Sequence, residues 1–427
     1  MDRTIQPEIQ TLKNFRILAP VRSTLPNGIP LTVINAGEQD VVRMDILFAG
    51  GRWQQSQKLQ ALFTNRMLRE GTTKYTAATI AEKLDYYGSW LELSSASEYA
   101  YITVYSLNKY LAKTLEIVES MIKEPLFPEK ELQTILDTNI QQYLVNTSKV
   151  DFLAHRSLLK SLYGEQHPCG KIVMEEDYHT ITPDVLRNFY EQHYHSGNCS
   201  IFLSGKVTED TIRRVTDTFG VPFGQHQLQM PKLSFPFAAV PEKRIFTERG
   251  DAMQSAVKMG CTTITREHPD YPKLRVLMTL FGGYFGSRLM SNIREEKGYT
   301  YGISAGIMFY PDSGMLLVST ETDNEYVEPL IQEVYHEIDR LHQEPVSMEE
   351  LTMVRNYMLG EMCRSYESPF SLSDAWIFIA TSGLTDDYFS HSLHAVNEIT
   401  PAEIQDLAQR YLCKETLKEV IAGKKLS

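Results

Sequence analysis

The chain has 427 residues, 42% of them hydrophobic, and a formal net charge of −12. Single hydrophobic cores stop growing near ~250–300 residues, so this length predicts two or more domains. The acidic balance excludes sequence-independent nucleic-acid binding, which needs Lys and Arg against phosphates, and it disfavours an anionic membrane surface.

The opening residues, MDRTIQPEIQTLKNF, contain no apolar run of signal-peptide type. No later stretch reaches the ~18 apolar residues that a membrane-spanning helix needs. The five cysteines are Cys169, Cys199, Cys261, Cys363 and Cys413, with no CxxC spacing. That scatter is neither a disulfide framework nor a thiolate zinc site, so a reducing cytoplasm is the expected compartment.

Along the first half, LTVIN and VRMDILFAG read as strands, and LQALFTNRMLRE and AATIAEKLDYY as helices. WLELSSAS and YAYITVYS alternate and are rich in aromatics, which predicts paired strands. KYLAKTLEIVESMIKE and EKELQTILDTNIQQYL follow as amphipathic helices. Strands grouped with helices, without strict βαβ alternation, predict an α+β fold in which a mostly antiparallel sheet is covered on one face by helices.

The pattern then repeats. ITPDVLRNFYEQHYHSGNCSIFLSGKV begins at Ile181, and ITPAEIQDLAQRYLCKETLKEVIAGKK begins at Ile399, an offset of 218. Thr caps a helix and Pro suits its first turn, so Ile-Thr-Pro is a helix start in both. The segments around Pro125 and Pro345 match in the same way. Two homologous halves of roughly 200 residues are therefore expected. Between them lies GVPFGQHQLQMPKLSFPFAAVPEKRIF, whose four prolines exclude a helix. The expected organisation is an N-terminal domain over 1–222, a linker over 223–245 and a homologous C-terminal domain over 246–427.

Three segments carry a family resemblance: LFTNRMLREGT, SLYGEQHPCGKIVMEEDYHTITPDVLRNFYEQHY and FGGYFGSRLMSNIREEKGYTYGISAG. In this order, across nearly the whole chain, they resemble the pitrilysin/insulinase family of zinc peptidases. The likeness is greatest to its smaller two-domain branch of bacterial peptidases and processing-peptidase subunits. The family's zinc helix carries His-x-x-Glu-His, with a third ligand, a Glu, on a later helix. Carried over position by position, the first His falls on Leu62, the Glu on Asn65 and the second His on Arg66. The third ligand falls on Asn139. Asp137 lies two residues away, so a shifted alignment supplies one carboxylate but not a site.

Leu has no donor atom, Arg is permanently cationic, and Asn cannot act as a base of near-neutral pKa. The resemblance therefore implies a degenerate zinc site, on a helix whose Leu59, Leu62, Phe63 and Met67 form a packing face. Among the 11 histidines no His-Glu-x-x-His or His-x-x-Glu-His occurs. His336 and His342 have the wrong spacing for one helix face. His193 and His195, with Tyr194 between them, read as lying on a strand. His391 and His394, with Glu398 beyond, read as a solvated helix face. No structural or catalytic metal is expected in this chain.

Arg294 and Tyr301 match a family pair of the same spacing. In relatives that pair holds the substrate backbone and stabilises the oxyanion of the tetrahedral intermediate, work suited to a cationic donor fork and a neutral hydroxyl. Read alone, Arg294 would pair with Glu295 or Glu296 and Tyr301 would be strand core. Gly282, Gly283, Gly286 and Ser287 lack phosphate-loop order and read as the tight turn before the Arg-bearing helix. In relatives the strand after the second helix lies at a sheet edge and accepts substrate by strand addition. Here that strand is Trp90 to Ser97, with Ser94 and Ser95 as expected substrate contacts; the residues alone support only a hairpin.

The resemblance implies a peptidase-family member inactive on its own. Its expected role is a non-catalytic subunit that lends Arg294 and Tyr301 to a homologous zinc-bearing partner, in a heterodimer or a homodimer, with zinc in the partner alone. The alternative is a peptide-binding or scaffold protein acting without proteolysis.

Overall fold

Six short runs rich in Val, Ile, Leu and aromatics pair into a first sheet: β1 (Val21–Thr24), β2 (Pro30–Asn35), β3 (Val41–Phe48), β4 (Trp90–Ser95), β5 (Ala100–Leu107) and β6 (Cys199–Gly205), in the order β1-β2-β6-β3-β5-β4. This is seen in a computed structural model, which describes residues 4, 15, 17–224 and 233–425. The second sheet holds β7 (Arg244–Glu248), β8 (Gln254–Thr263), β9 (Thr300–Tyr310), β10 (Ser313–Asp323) and β11 (Lys418–Gly423), in the order β7-β11-β8-β10-β9. Without β1, the two orders are the same topology. Each sheet has one parallel pair, β2 with β6 and β7 with β11, and is otherwise antiparallel.

The helices of the first half are α1 (Gln60–Met67), α2 (Ala77–Tyr87), α3 (Leu111–Lys123), α4 (Glu129–Thr147), α5 (Val150–Tyr163), α6 (Glu175–Tyr178), α7 (Pro183–His193) and α8 (Glu209–Phe219). Those of the second are α9 (Tyr271–Met278), α10 (Val327–Gln343), α11 (Met348–Arg364), α12 (Pro369–Thr381), α13 (Tyr388–Glu398) and α14 (Pro401–Tyr411). Both Ile-Thr-Pro segments start helices. Thr182 Oγ1 accepts from the Val185 N–H at 3.3 Å. Thr400 and Glu403 form a reciprocal capping box, with the Thr400 N–H donating to Glu403 Oε2 at 2.8 Å. Of the expected linker, residues 225–232 lie outside the described residues, and β7 already begins at Arg244.

The expected α+β architecture is what the chain adopts, with one addition. Side chains alternate along β3. Val42, Met44, Ile46 and Phe48 enter the core shared with α1, α2, α3, α7 and α8. Leu47 points to the opposite face, where Ile34 and Phe202 join it against Leu372, Trp376, Ile377 and Ile379 of α12. In the second half, Val257, Met259 and Cys261 of β8 face their own helices. Ala256, with Met315, Val420 and Ala422, instead packs on Ala154, Leu158 and Leu162 of α5. Each half thus covers the far face of the other's sheet with one helix.

Each exchanged helix also delivers an aspartate to a buried cation. Arg43 Nη2 pairs with Asp374 of α12 at 2.5 Å and with Asp45 at 2.8 Å. Lys258 Nζ pairs with Asp151 of α5 and hydrogen-bonds Ser319 Oγ. Arg43 keeps Asp45 when Asp374 is removed, but Lys258 is buried against Asp151, so removing that aspartate strands a desolvated charge. Asp151 is half exposed, which lowers the cost. We expect Asp151→Ala to destabilise the chain by about 2 kcal/mol and Lys258→Met on top of it to recover most of that loss, read as shifts in the urea midpoint.

The His-Pro signature joins the halves at a further point. His167 is fully buried; its Nδ1 accepts from the Cys169 N–H at 3.1 Å. The proton therefore sits on Nε2, which donates to Asp312 at the β9–β10 turn, 2.9 Å away. Next to it, Ser313 Oγ donates to the Tyr163 hydroxyl at 3.3 Å.

Candidate functional site

Helix α1 is held by apolar side chains on one side; Phe63 and Met67 are fully buried and Leu62 is partly so. Its polar residues decide what the positions aligned with the family's zinc ligands can do. Asn65 is buried, and its carboxamide is fully engaged. Nδ2 donates to the carbonyls of Ser94 at 2.6 Å and Tyr101 at 3.1 Å, while Oδ1 accepts from the Tyr194 hydroxyl at 3.3 Å. This amide pins α1 to the β4–β5 hairpin. Burial pushes the Tyr194 phenol up, so it remains a neutral donor.

Arg66 and Asn139, residues 73 positions apart that the alignment placed at two ligand positions, meet directly. Arg66 Nη1 donates to Asn139 Oδ1 at 2.7 Å, and Asn139 Nδ2 donates to the Ile135 carbonyl at 2.7 Å. They line a cavity of about 380 Å³ with Arg69, Glu70, Leu93, Thr134, Ile135 and Thr138. Burial first, and then the charge of Arg69, hold the Arg66 guanidinium below its ordinary value, although it remains a cation. Asp137 does not line this cavity; it accepts from Gln133 Nε2 at 2.7 Å. The residues do not fit zinc: they offer one aliphatic chain, two amides already hydrogen-bonded, and a cation that would repel the ion.

Among the described residues no group of three or more His, Cys, Asp or Glu is placed to hold a metal ion. His193 and His195 do not lie on a strand, as their spacing had suggested. His193 ends α7 and Tyr194 caps it, because the amphipathic period of the helix runs through to that point. Both rings are buried, and burial pulls His193 down to about 4, which keeps it neutral. His391 and His394 are exposed on α13.

The second-half pair sits where two π-helical turns, Thr279–Gly283 and Met290–Glu296, lead into β9. The first turn lies against β9 so closely that a Cβ on Gly282 would come within 2.6 Å of the Ala305 side chain. Arg294 Nε donates to the Tyr301 carbonyl at 2.8 Å, and Nη1 pairs with Glu295. Its guanidinium lies 4.7 Å from the Phe285 ring centroid and 5.6 Å from that of Tyr301. Tyr301 is not strand core: it is 93% exposed, on the strand at the sheet's edge. Phe285 is also exposed and completes the cluster. Sequence reading missed it; the signal was a large aromatic set within a Gly-rich turn.

The expected substrate strand is β4, the outermost strand of its sheet, and it does pair with β5. It ends at Ser95, with 96–99 forming the turn. Ser94 is exposed and Ser95 half-buried. The equivalent edge of the second sheet is β9, which carries Tyr301.

Comparison with known proteins adds to this geometry. The model of the insulinase family, peptidase family M16, matches residues 34–175, and that of the peptidase M16 inactive domain matches residues 180–358. The chain belongs to peptidase family M16. It is similar to a Bacillus subtilis protein named "Uncharacterized zinc protease YmxG", with 23% identity over 354 residues, 81% of this chain and 84% of that one. A Helicobacter pylori protein named "Non-peptidase homolog YmxG" is 22% identical over 358 residues, 81% of this chain and 80% of that one. The crystal structure of a peptidase M16 inactive domain from Pseudomonas fluorescens superposes with a TM-score of 0.86 at 22% identity, covering 96% of this chain and 99% of that one. A Helicobacter pylori protease superposes at 0.87 with 14% identity, covering 96% and 100%. These two likenesses are of fold. No helix among the described residues is long and apolar enough to cross a membrane.

Proposed function

We propose that this chain is the zinc-free subunit of an M16 peptidase, lending Arg294 and Tyr301 to peptide bound at a homologous zinc-bearing subunit. The observation that carries this reading is the asymmetry between the two sites. At the first, Asn65, Arg66 and Asn139 have their side chains tied into the fold's own hydrogen bonds. At the second, an arginine and a tyrosine are held beside each other with the tyrosine ring in solvent. An exposed tyrosine beside an arginine anchored by a backbone hydrogen bond has no packing role to explain it.

The chemistry would be divided between subunits. The partner's zinc would supply Lewis acid and water activation. This chain would supply a donor fork and a neutral hydroxyl to developing negative charge. A peptide-binding role without proteolysis is the second reading; the name of the Helicobacter pylori relative supports it. To separate them, the chain is mixed with a zinc-bearing M16 homologue of similar length and assayed on a quenched fluorescent peptide. We expect no cleavage by this chain alone and cleavage by the mixture above that of the partner alone. A mixture no faster than the partner, despite demonstrable association, would leave only the peptide-binding role.

A further inference from the structure

We infer that the vacated zinc pocket has become a carboxylate pocket, which reads an acidic side chain on an extended peptide added to the edge of β4. The inference rests on the peptide-binding part of the proposed function and names the class of peptide.

Three observations support it. The first is charge. Arg66 has no carboxylate partner among the described residues; Nη1 is spent on Asn139, and Nε and Nη2 have no protein acceptor there. Arg69, one helical turn on, lines the same cavity and is paired with Glu70 at 3.3 Å. The walls otherwise offer Thr134, Thr138 and Asn139, so the cavity carries one uncompensated positive charge within a chain of net charge −12. A half-buried guanidinium with free donors is matched by a carboxylate, which accepts two parallel N–H bonds.

The second is position. Leu93 of β4 lines the cavity, so it opens beside the edge strand. The Ala96 N–H bonds the Tyr99 carbonyl at the hairpin turn, and Ser94 lies opposite Tyr101. By the two-residue alternation of an antiparallel ladder, Glu92 and Ser94 exchange bonds with β5, whereas the backbone groups of Leu91, Leu93 and Ser95 face outward. These are the groups an added strand would pair with, and Leu93 sits at their centre. The third is reach. Strand β4 continues on both sides of Leu93, so a peptide can run past the cavity and place a side chain in it.

The test uses the full chain and three fluorescein-labelled ten-residue peptides rich in Thr and Val. Their C-termini are amidated, and they are identical except for one central Glu, Gln or Lys. By fluorescence anisotropy we expect the Glu peptide to bind about ten- to a hundredfold more tightly than the Gln peptide, and the Lys peptide more weakly still. Millimolar glutarate should compete with the Glu peptide and not with the Gln peptide. Arg66→Gln should abolish the preference for the Glu peptide; Arg187→Gln, on the exposed face of α7, should leave that preference intact. Equal binding of all three peptides would overturn the carboxylate pocket and leave peptide binding standing. A preference seen only with a free C-terminus would overturn the side-chain assignment. Binding of none would overturn the pocket together with the peptide-binding reading beneath it.

Discussion

If the proposed function holds, Arg294→Ala should lower kcat/KM of the proposed two-subunit peptidase by about 100- to 1000-fold, and Tyr301→Phe by about 10- to 100-fold, with little change in KM for either. The size follows from where the charge appears. In the ground state the peptide carbonyl is neutral and gains little from a guanidinium. In the tetrahedral intermediate it carries a full negative charge in a site that excludes water, where one well-placed donor contributes roughly 3–4 kcal/mol. Arg294 contributes charge as well as hydrogen bonds; Tyr301 contributes one hydroxyl, which Phe deletes with the ring kept. Because Arg294 Nε is bonded to the Tyr301 backbone carbonyl, Tyr301→Phe leaves the arginine anchored. Arg294→Lys should recover little, since an ammonium lacks the fork that can hold that carbonyl and the substrate together. Stopped assays on the mixed subunits, with association checked separately, decide this; a loss confined to KM would assign the pair to ground-state binding.

Asn65→Asp should cost the fold about 3 kcal/mol at neutral pH, although it changes one atom type and moves residue 65 toward the carboxylate of an active relative. The slot around Asn65 requires two donors, for the Ser94 and Tyr101 carbonyls, and one acceptor, for the Tyr194 hydroxyl. A carboxylate meets the hydroxyl but sets an oxygen against two carbonyls, and it is buried without a cation. The same environment raises the introduced carboxyl's pKa above the ~3.9 of a solvated aspartate. A raised folded-state pKa means that the penalty is full above that value and shrinks as pH falls through it toward ~3.9. The gap between wild-type and variant urea midpoints should therefore narrow from pH 7 to pH 4.5. A gap that is constant, or that widens, would show the side chain escaping to solvent.

Much of this was legible in the sequence, for physical reasons. The Ile-Thr-Pro repeats fix helix starts by local capping, which needs no tertiary context, and β4 and β5 announce themselves by period-2 alternation. That the aligned positions do not suit zinc could be argued from sequence because Leu62 and Arg66 are chemically incompatible with the ion wherever they sit. Three things stayed hidden. The meeting of Arg66 and Asn139 depends on how α1 and α4 cross, which one sequence does not state. Tyr301 reads as strand core because an edge strand and a central strand share composition; only the sheet order exposes it. The burial of Arg43 and Lys258 also stayed hidden, because each is paired with an aspartate on a helix of the opposite half.

That exchange of helices bears on how the chain leaves the ribosome. The outer face of the first sheet, with Ile34, Leu47 and Phe202, is complete once β6 ends at Gly205. Its cover, α12, ends at Thr381, which is 176 residues later. At about 5–20 residues per second, that apolar face waits roughly 10–35 seconds in water. The nascent first half is therefore exposed to aggregation, and rare codons between Gly205 and Thr381 should lengthen the wait and lower the soluble yield without altering a single residue.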